Sequence, residues 1–211
     1  MNLVEKHSFN KNHPRWKSLD KICFLSKNLY NYALYCIKQE YEATGRIIWY
    51  NELDKLLIYS NQFDYRILPA NSAQKVLQIL NINIKSFFKA LESYKKNPEK
   101  FKAKPEFPKY KNKIKGRNVV VFTMNQFTLK KDGLIRFPKK SGLQPIKPLY
   151  TENIQQVRII PNSSHYTIEI VYRKQEQPLI TNDNKASIDL GINNLAALTF
   201  SNTKVISSLP I

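Results

Sequence analysis

Apolar residues in the first half of the chain recur at steps of three and four positions, the spacing of an amphipathic helix. The longest such run extends from Trp16 to Tyr41. A short helix is predicted from 51 to 59, with Asn51 as its cap. In the third run Asn71 stands three residues before Gln74, as in a capping box, and apolar spacing continues to Leu91. These patterns predict a small helical unit.

From Gly116 onward the pattern is typical of β-strands. "NVVVFTM" is rich in β-branched residues, and "QFTLKKDGLIRFP" has Asp132-Gly133 at its centre, a dipeptide favoured by two-residue hairpin turns. "QQVRIIPNSSHYTIEIVYRK" predicts a second hairpin. Several short antiparallel strands in succession predict a small barrel or sandwich. The polar stretch "KQEQPLITNDNK" then predicts a linker before a new segment that starts at Ala186.

The segment "ASIDLGINNLAALTFSN" puts a carboxylate in a run that otherwise resembles a buried strand. Alternation places Asp189 on one face with Gly191, in the middle of the strand. Because an unpaired buried carboxylate is costly, a bound Mg²⁺ would stabilise Asp189 there. Turns at Asn193-Asn194 and at Ser201-Asn202 predict a meander of three strands.

Two other interpretations of Asp189 stay open. The carboxylate could accept hydrogen bonds from backbone N–H groups near a turn, as aspartates commonly do. A strand followed by "DLG" also opens the phosphate-binding hairpin of actin-like sugar kinases. That hairpin normally continues with a further glycine and a threonine, whereas Ile192 and Asn193 follow here, and a backbone phosphate cradle relies on glycines.

The stretch from Lys95 to Arg117, hereafter the basic segment, holds ten lysines or arginines and two glutamates, a net charge of +8. Its prolines make a continuous helix implausible. Aromatic residues alternate with the lysines, as where a chain follows a phosphate backbone and offers rings for stacking. The alternative is a solvated linker. The predicted nucleic-acid-binding residues are Lys95, Lys96, Lys100, Phe101, Lys102, Lys104, Lys109, Tyr110, Lys111, Lys113, Lys115 and Arg117.

Charge and composition narrow the class of protein. The formal net charge of +18 on 211 residues favours a polyanionic partner. No uninterrupted apolar run approaches the roughly 18 residues of a membrane span, and the first residues carry no signal-peptide pattern, so a cytoplasmic location is expected. Cys23 and Cys36, thirteen residues apart in one predicted helix, fit neither a disulfide nor a zinc pair and are predicted as small core residues.

"IDLGINNLAALTFSN" resembles the first motif of the RuvC-like nuclease domain in the OrfB/TnpB proteins of insertion sequences, relatives of the type V CRISPR effectors. "LVEKHSF" with "LSKNLYNYALY", "NSAQKVLQILNINIKSFFKAL" with "PEFPKYKNK", and "FTLKKDGLIRFPK" with "VRIIPNSSHYTIEIVY" resemble other parts of that family. Any one match is weak, but together they cover nearly the whole chain.

The resemblance implies an α+β multidomain fold in which a helical insert interrupts an oligonucleotide-binding-like β-barrel, before an RNase H-like (RuvC) domain. The implied boundaries are 1–15 for the first strand of the β domain, 16–115 for the helical recognition insert with the basic segment, 116–182 for the barrel and 186–211 for the start of the nuclease domain. The implied activity is RNA-guided, Mg²⁺-dependent DNA cleavage by proteins that are also called transposases, with guide RNA and target DNA as partners.

The resemblance carries one catalytic position to this chain, Asp189, as the first metal-binding carboxylate. The family's other acids and its zinc-binding cysteines come later. After Asp189 this sequence has no Asp, Glu, His or Cys, and two-metal cleavage needs several carboxylates. We therefore expect an N-terminal part of such a nuclease, inactive by itself. The alternatives are a catalytically inactive nucleic-acid-binding module from a degenerate relative, and a basic structural protein.

Overall fold

The computed structural model describes residues 1–176, 185–189, 194–201 and 203–210. They form a mixed α+β protein of helices and antiparallel sheets. The chain divides into two compact units, Met1–Lys174 and Gln175–Ile211. The first unit contains both the helices and the larger sheet, so the finer boundaries at 15 and 115 stay predictions.

Four helices follow the first strand in the described chain: α1 (Trp16–Thr44), α2 (Tyr50–Tyr59), α3 (Phe63–Ile67) and α4 (Ala70–Lys96). The apolar spacing predicted α1 and α4, and the cap candidate Asn51 predicted α2. Helix α1 ends at Gly45, whose φ of 71° is the left-handed conformation that glycine adopts without strain. The five-residue α3 was not predicted, because it is too short to show helical periodicity.

The predicted cap positions of two helices are wrong. Helix α2 already includes Tyr50, so Asn51 lies inside its first turn. Helix α4 starts at Ala70 after Pro69, with no side-chain cap, which places Asn71 inside the helix and excludes the capping box. The helix therefore begins two residues earlier than the Asn71 signal indicated, directly after Pro69.

The larger sheet is assembled from both ends of the first unit. Its strands are β1 (Asn2–Asn10), β2 (Val120–Thr123), β5 (Ile154–Pro161) and β6 (His165–Arg173), in the antiparallel order β1-β6-β5-β2. Strand β1 pairs with β6 along its whole length, from Asn2 opposite Arg173 to Asn10 opposite His165. The four helices are therefore inserted between two neighbouring strands. Among the described strands β1 and β2 remain sheet edges, so closure into a barrel stays a prediction.

The predicted hairpin at Asp132-Gly133 forms, but its turn is longer than expected. Strands β3 (Thr128–Leu129) and β4 (Ile135–Arg136) pair, and the Lys130 N–H donates to the Leu134 carbonyl at 3.2 Å. The loop thus holds three residues instead of two. Gly133 N–H donates to the Lys130 carbonyl at 2.9 Å, and φ at Gly133 is +73°, as in a turn closed by a left-handed residue.

One core is shared by the helices and the sheet, with Leu29, Leu77, Phe122 and Ile170 among its fully buried residues. Two serine hydroxyls tie helices to the β2 region: Ser26 donates to the Val119 carbonyl at 2.8 Å and Ser72 to the Val121 carbonyl at 2.9 Å. Cys23 is buried and Cys36 is half-buried, and both are free thiols. The prediction of a core position is confirmed for Cys23, whereas Cys36 packs against the core and is partly exposed.

The second unit contains the predicted meander. Its strands β7 (Ala186–Asp189), β8 (Asn194–Phe200) and β9 (Thr203–Pro210) form an antiparallel sheet in that order. The turn residue Asn193 and the glycine at 191 lie outside the described residues. In the described part of the chain, no helix is long and apolar enough to cross a membrane.

Candidate nucleic-acid interface

The basic segment leaves helix α4 and runs back along α1. Lys95 and Lys96 form the last turn of α4, where cations are favourable to the helix dipole, and a 3-10 turn follows at Pro98–Lys100. From 101 to 112 the described chain belongs to no helix or strand. The predicted interruption of the helix by prolines is confirmed.

Helix α1 holds the backbone of this segment through two polar side chains one turn apart. The Asn31 amide donates to the Lys111 carbonyl at 2.8 Å and accepts from the Lys111 N–H at 2.9 Å. The Lys27 ammonium donates to the Lys113 carbonyl at 2.6 Å. Residues 27 and 31 share a helix face because they are four positions apart. The segment is thus fixed through its main chain, which leaves its own side chains to project.

Lys27 is unusual because it is a cation inside the protein, with 2% of its surface exposed. Its ammonium lies 3.8 Å from the centre of the Phe24 ring, a cation–π contact. Burial lowers the pKa of Lys27, and the nearby positive charge of Arg117 lowers it further. The carbonyl of Lys113 and the Phe24 ring together replace the water that this ammonium loses.

The end of the basic segment is held by an ion pair with α1. Asp20 accepts from Arg117 Nε at 2.8 Å and from Arg117 Nη2 at 2.9 Å, and Tyr166 donates its hydroxyl to Asp20 at 2.6 Å. Arg117 Nη1 donates to the carbonyls of Ile114 and Gly116. The hydrogen bonds from Arg117 hold the pKa of Asp20 below its usual value.

A test of this ion pair is the pH dependence of stability. Because the folded-state pKa of Asp20 is lowered, its stabilisation is present above the unfolded pKa of about 3.9 and is lost as pH falls through the folded value. We expect the gap in unfolding free energy between the wild type and Asp20→Asn to be constant near neutral pH and to narrow below about pH 4. Urea unfolding at several pH values measures it, and a gap that widens in acid would contradict the assignment.

The aromatic residues of the segment are used for packing more than was predicted. The Phe107 ring contacts Phe87 and Phe88 of α4, with centres at 5.1 and 6.5 Å, and stacks on Tyr41 at 6.1 Å. Phe101 is half-buried and meets the edge of Tyr94. Phe107 is half-buried and anchors the segment through these contacts, while stacking of its ring on a base stays a prediction. Tyr110 is 47% exposed, with the Lys38 ammonium 4.7 Å from its ring centre.

The predicted lysines divide by exposure. Those exposed at the surface are Lys95, Lys96, Lys100, Lys102, Lys104, Lys109, Lys113 and Lys115. Two of them form ion pairs, Lys96 with Glu92 at 2.8 Å and Lys109 with Glu106. Within the described residues the other six have no ion-pair partner. The segment thus presents a row of unneutralised cations on a fixed backbone.

Lys111 and Arg117 have structural partners instead. Lys111 is half-buried with its ammonium 5.0 Å from the centre of the Tyr30 ring, and burial lowers its pKa. The Arg117 guanidinium is occupied by Asp20 and by two carbonyls. Their contact with nucleic acid stays a prediction, and the structure gives both residues a role in holding the segment.

The residues that hold the segment, Asp20, Lys27 and Asn31, were not predicted from the sequence. Their partners lie 80 or more positions away. A signal was nevertheless present, because Lys27 falls on the buried stripe of α1 between Cys23 and Tyr30. A lysine at such a position needs a buried acceptor.

Asp189 is the last described residue of β7 and lies exposed opposite Ala197 of β8. Its predicted place in the middle of the strand depends on residues 190–193, which lie outside the described part. Among the described residues, no group of three His, Cys, Asp or Glu is arranged to hold a metal ion. One carboxylate does not fit the two-ion site of a nuclease, which requires several.

The fold and the segment define a class: a mixed α+β protein with a cationic surface segment fixed along a helix. No protein-family model matches the chain, and no curated protein matches it. Among solved structures, the chain is similar to a Cas12f1–sgRNA–target DNA complex, with a TM-score of 0.30 and 14% sequence identity. The match covers 99% of this chain and 57% of that one. A likeness of this degree assigns neither fold nor function.

Proposed function

We propose that this chain binds structured RNA and DNA as the nucleic-acid-binding part of an RNA-guided effector of the OrfB/TnpB kind. The observation that carries the proposal is the basic segment, whose exposed lysines project from a backbone bound to Asn31 and Lys27. The sequence resemblance supplies the RNA-guided aspect. The net charge of +18 agrees with a polyanionic partner.

A fixed backbone matters because ordering a flexible lysine-rich tail on a phosphate chain costs conformational entropy at the moment of binding. Here hydrogen bonds to α1 order the main chain at Lys111 and Lys113 before the partner arrives, and ring contacts hold Phe101 and Phe107. Only the lysine side chains are left to adjust. We therefore infer that the segment recognises the path of a phosphate backbone and not a base sequence, since lysines that contact phosphates carry no direct sequence information.

The domain organisation implied by the resemblance is also a proposal. In it, residues 1–15 and 116–182 form an oligonucleotide-binding-like β domain interrupted by the helical recognition insert. The pairing of β1 with β6 across the four helices supports this arrangement. The isolated bridge between Ile135 and Ile146 extends the β3–β4 hairpin by a further strand segment, as a partly closed barrel would need.

For Asp189 we propose the role of a first Mg²⁺-binding carboxylate in a RuvC-like site, and the support for this role is the sequence resemblance. The carboxylate is exposed at the end of β7, so it does not need a cation to offset burial, as the sequence pattern had indicated. Mg²⁺ would supply Lewis-acid stabilisation of phosphate oxygens. The described residues offer Asp189 no companion ligands. The second candidate is a binding module without nuclease activity. The observation that favours it is that no three His, Cys, Asp or Glu among the described residues are arranged to hold a metal ion.

The proposal is tested by titrating residues 1–211 with a labelled, structured RNA at several salt concentrations. We expect log K to fall linearly with log salt, with a slope of about −0.7 to −0.9 per neutralised phosphate. A flat salt dependence would contradict nucleic-acid binding. In parallel, supercoiled plasmid with Mg²⁺ should stay intact. Nicking that vanishes in Asp189→Ala would show instead that the chain carries a complete nuclease site.

A further inference from the structure

A second cationic site lies away from the basic segment, in a cavity of about 320 Å³. One wall is the start of α1, with Lys17, Ser18 and Lys21; the others are the α3–α4 junction and the 3-10 turn Lys139–Ser141 with Gly142. The cavity is at the lower end of the range for small-ligand sites, about 300 to 1,000 Å³. It therefore has the size for one small group and not for an extended ligand.

The rim of this cavity is cationic. Lys17 and Lys21 are four positions apart, hence neighbours on α1, and Lys140 approaches from the facing turn, with its ammonium 3.4 Å from the Arg66 carbonyl. No Asp or Glu is among the described lining residues. In the described part of the chain Lys17 and Lys21 have no ion-pair partner, and the nearest acid in sequence, Asp20, is held by Arg117. The lysine charges at the rim are thus uncompensated.

The helix itself adds to this preference for an anion. Lys17 and Ser18 belong to the first turn of α1, which contains no acidic residue. The Trp16 N–H donates to the His13 carbonyl at 2.9 Å and the Leu19 N–H to the Arg15 carbonyl at 3.1 Å, so these two groups are already bonded. The helix dipole still makes this end of α1 positive. A phosphate at the rim would meet both the ammonium groups and this positive end.

The floor of the cavity is apolar and consists of Ile22, Leu25, Ile67 and Leu68. Leu25 and Ile67 are half-buried and present the apolar surface, whereas Ile22 and Leu68, each 2% exposed, offer little of it. Contact with these apolar side chains would add no binding free energy for an inorganic anion. A ligand with a phosphate next to a ring or sugar would use the rim and the floor together.

We propose that this cavity binds one nucleotide of a nucleic-acid strand, with its phosphate among Lys17, Lys21 and Lys140 and its sugar or base against the apolar floor. The proposal rests on the proposed function, because the nucleotide belongs to the bound strand. The contact at this cavity is separate from the one at the basic segment. At 100° per residue, Lys21 and Leu25 lie about 80° to 160° around α1 from Lys27 and Asn31, which hold the basic segment.

The test is a titration of isotope-labelled residues 1–211, followed by amide NMR, with adenosine 5′-monophosphate, with inorganic phosphate and with a 5′-phosphorylated oligoadenylate. We expect shifts of the Ser18, Ser141 and Gly142 amides, with tighter binding of the mononucleotide than of phosphate. In Lys17→Gln/Lys21→Gln the affinity should fall at least about tenfold, because two charge-assisted hydrogen bonds are removed. The matched control is Lys85→Gln/Lys89→Gln, an exposed pair with the same spacing on α4, which should bind like the wild type.

Three outcomes would overturn the proposal. They are equal losses in both double variants, equal affinity for phosphate and mononucleotide, and shifts with the mononucleotide but none with the oligonucleotide. If these amides stay silent while RNA still binds with a steep salt dependence, the cavity assignment fails and the proposed function stands. If salt-dependent RNA binding is also absent, the proposed function fails as well.

Discussion

Replacing Lys102, Lys104, Lys113 and Lys115 together by glutamine is expected to weaken binding of structured RNA by about 100-fold at low salt. These side chains are exposed and have no ion-pair partner in the described structure. A phosphate that no lysine neutralises keeps its counterion. The slope of log K against log salt should therefore become shallower by about one for each such phosphate. Fluorescence anisotropy over a salt series measures both quantities.

The control for this variant must remove the same charge elsewhere. Lys11, Lys55, Lys131 and Lys147 are exposed lysines outside the basic segment, and their replacement by glutamine lowers the net charge by the same amount. We expect a loss of less than about tenfold, since only the long-range attraction is reduced. Equal losses in the two variants would mean that the net charge, and not the segment, binds the RNA.

Removing the Asn31 amide is expected to release the basic segment from α1. In Asn31→Ala, the Lys111 N–H and carbonyl each lose a hydrogen-bond partner, at a cost of about 1 to 2 kcal/mol in unfolding free energy. Hydrogen exchange at the Lys111 amide should accelerate by at least about tenfold. RNA affinity should fall even though no cation has been removed. Urea unfolding, exchange and anisotropy measure the three effects.

Two matched variants separate this role from a general effect on the helix. Asn31→Asp keeps the acceptor for the Lys111 N–H but loses the donor to its carbonyl, so hydrogen exchange at the Lys111 amide should lie between the wild type and Asn31→Ala. Gln39→Ala removes an exposed amide from the same helix, away from the segment, and should change neither exchange nor affinity. RNA binding unchanged in Asn31→Ala would show that a fixed backbone is unnecessary.

The helices and hairpins were predictable because their signals are local. Apolar residues of α1 and α4 repeat at helical spacing, and a glycine at 133 supplies a left-handed turn residue whether the loop has two residues or three. The errors are local too. Asn71 has the composition of a cap, but Pro69 precedes it and starts the helix first. Both Pro69 and Asn71 are residue types common at the start of a helix. The proline fixes its own backbone angle, and the helix starts directly after it.

Only part of the candidate site was predictable, because the residues that hold the basic segment are far from it in the sequence. The lysines are visible as a run of charge, whereas the hydrogen bonds that order them join residues 20–31 to residues 111–117. No local pattern connects the two stretches. Phe107 shows the same limit. Its neighbouring lysines suggested a ring for stacking on bases, but in the structure the ring packs against Tyr41 of α1 and Phe87 of α4.

The pairing of β1 with β6 also has a consequence for how the chain folds during synthesis. Residue 2 cannot meet residue 173 until the ribosome has delivered both, which at about 5 to 20 residues per second takes roughly 10 to 30 seconds. Helices α1 to α4 are synthesised before β6. Strand β1 therefore has no pairing partner while these helices pack against each other. Closing so long a loop is slow but only modestly unfavourable. The last step of folding of the first unit should therefore be the docking of its first ten residues.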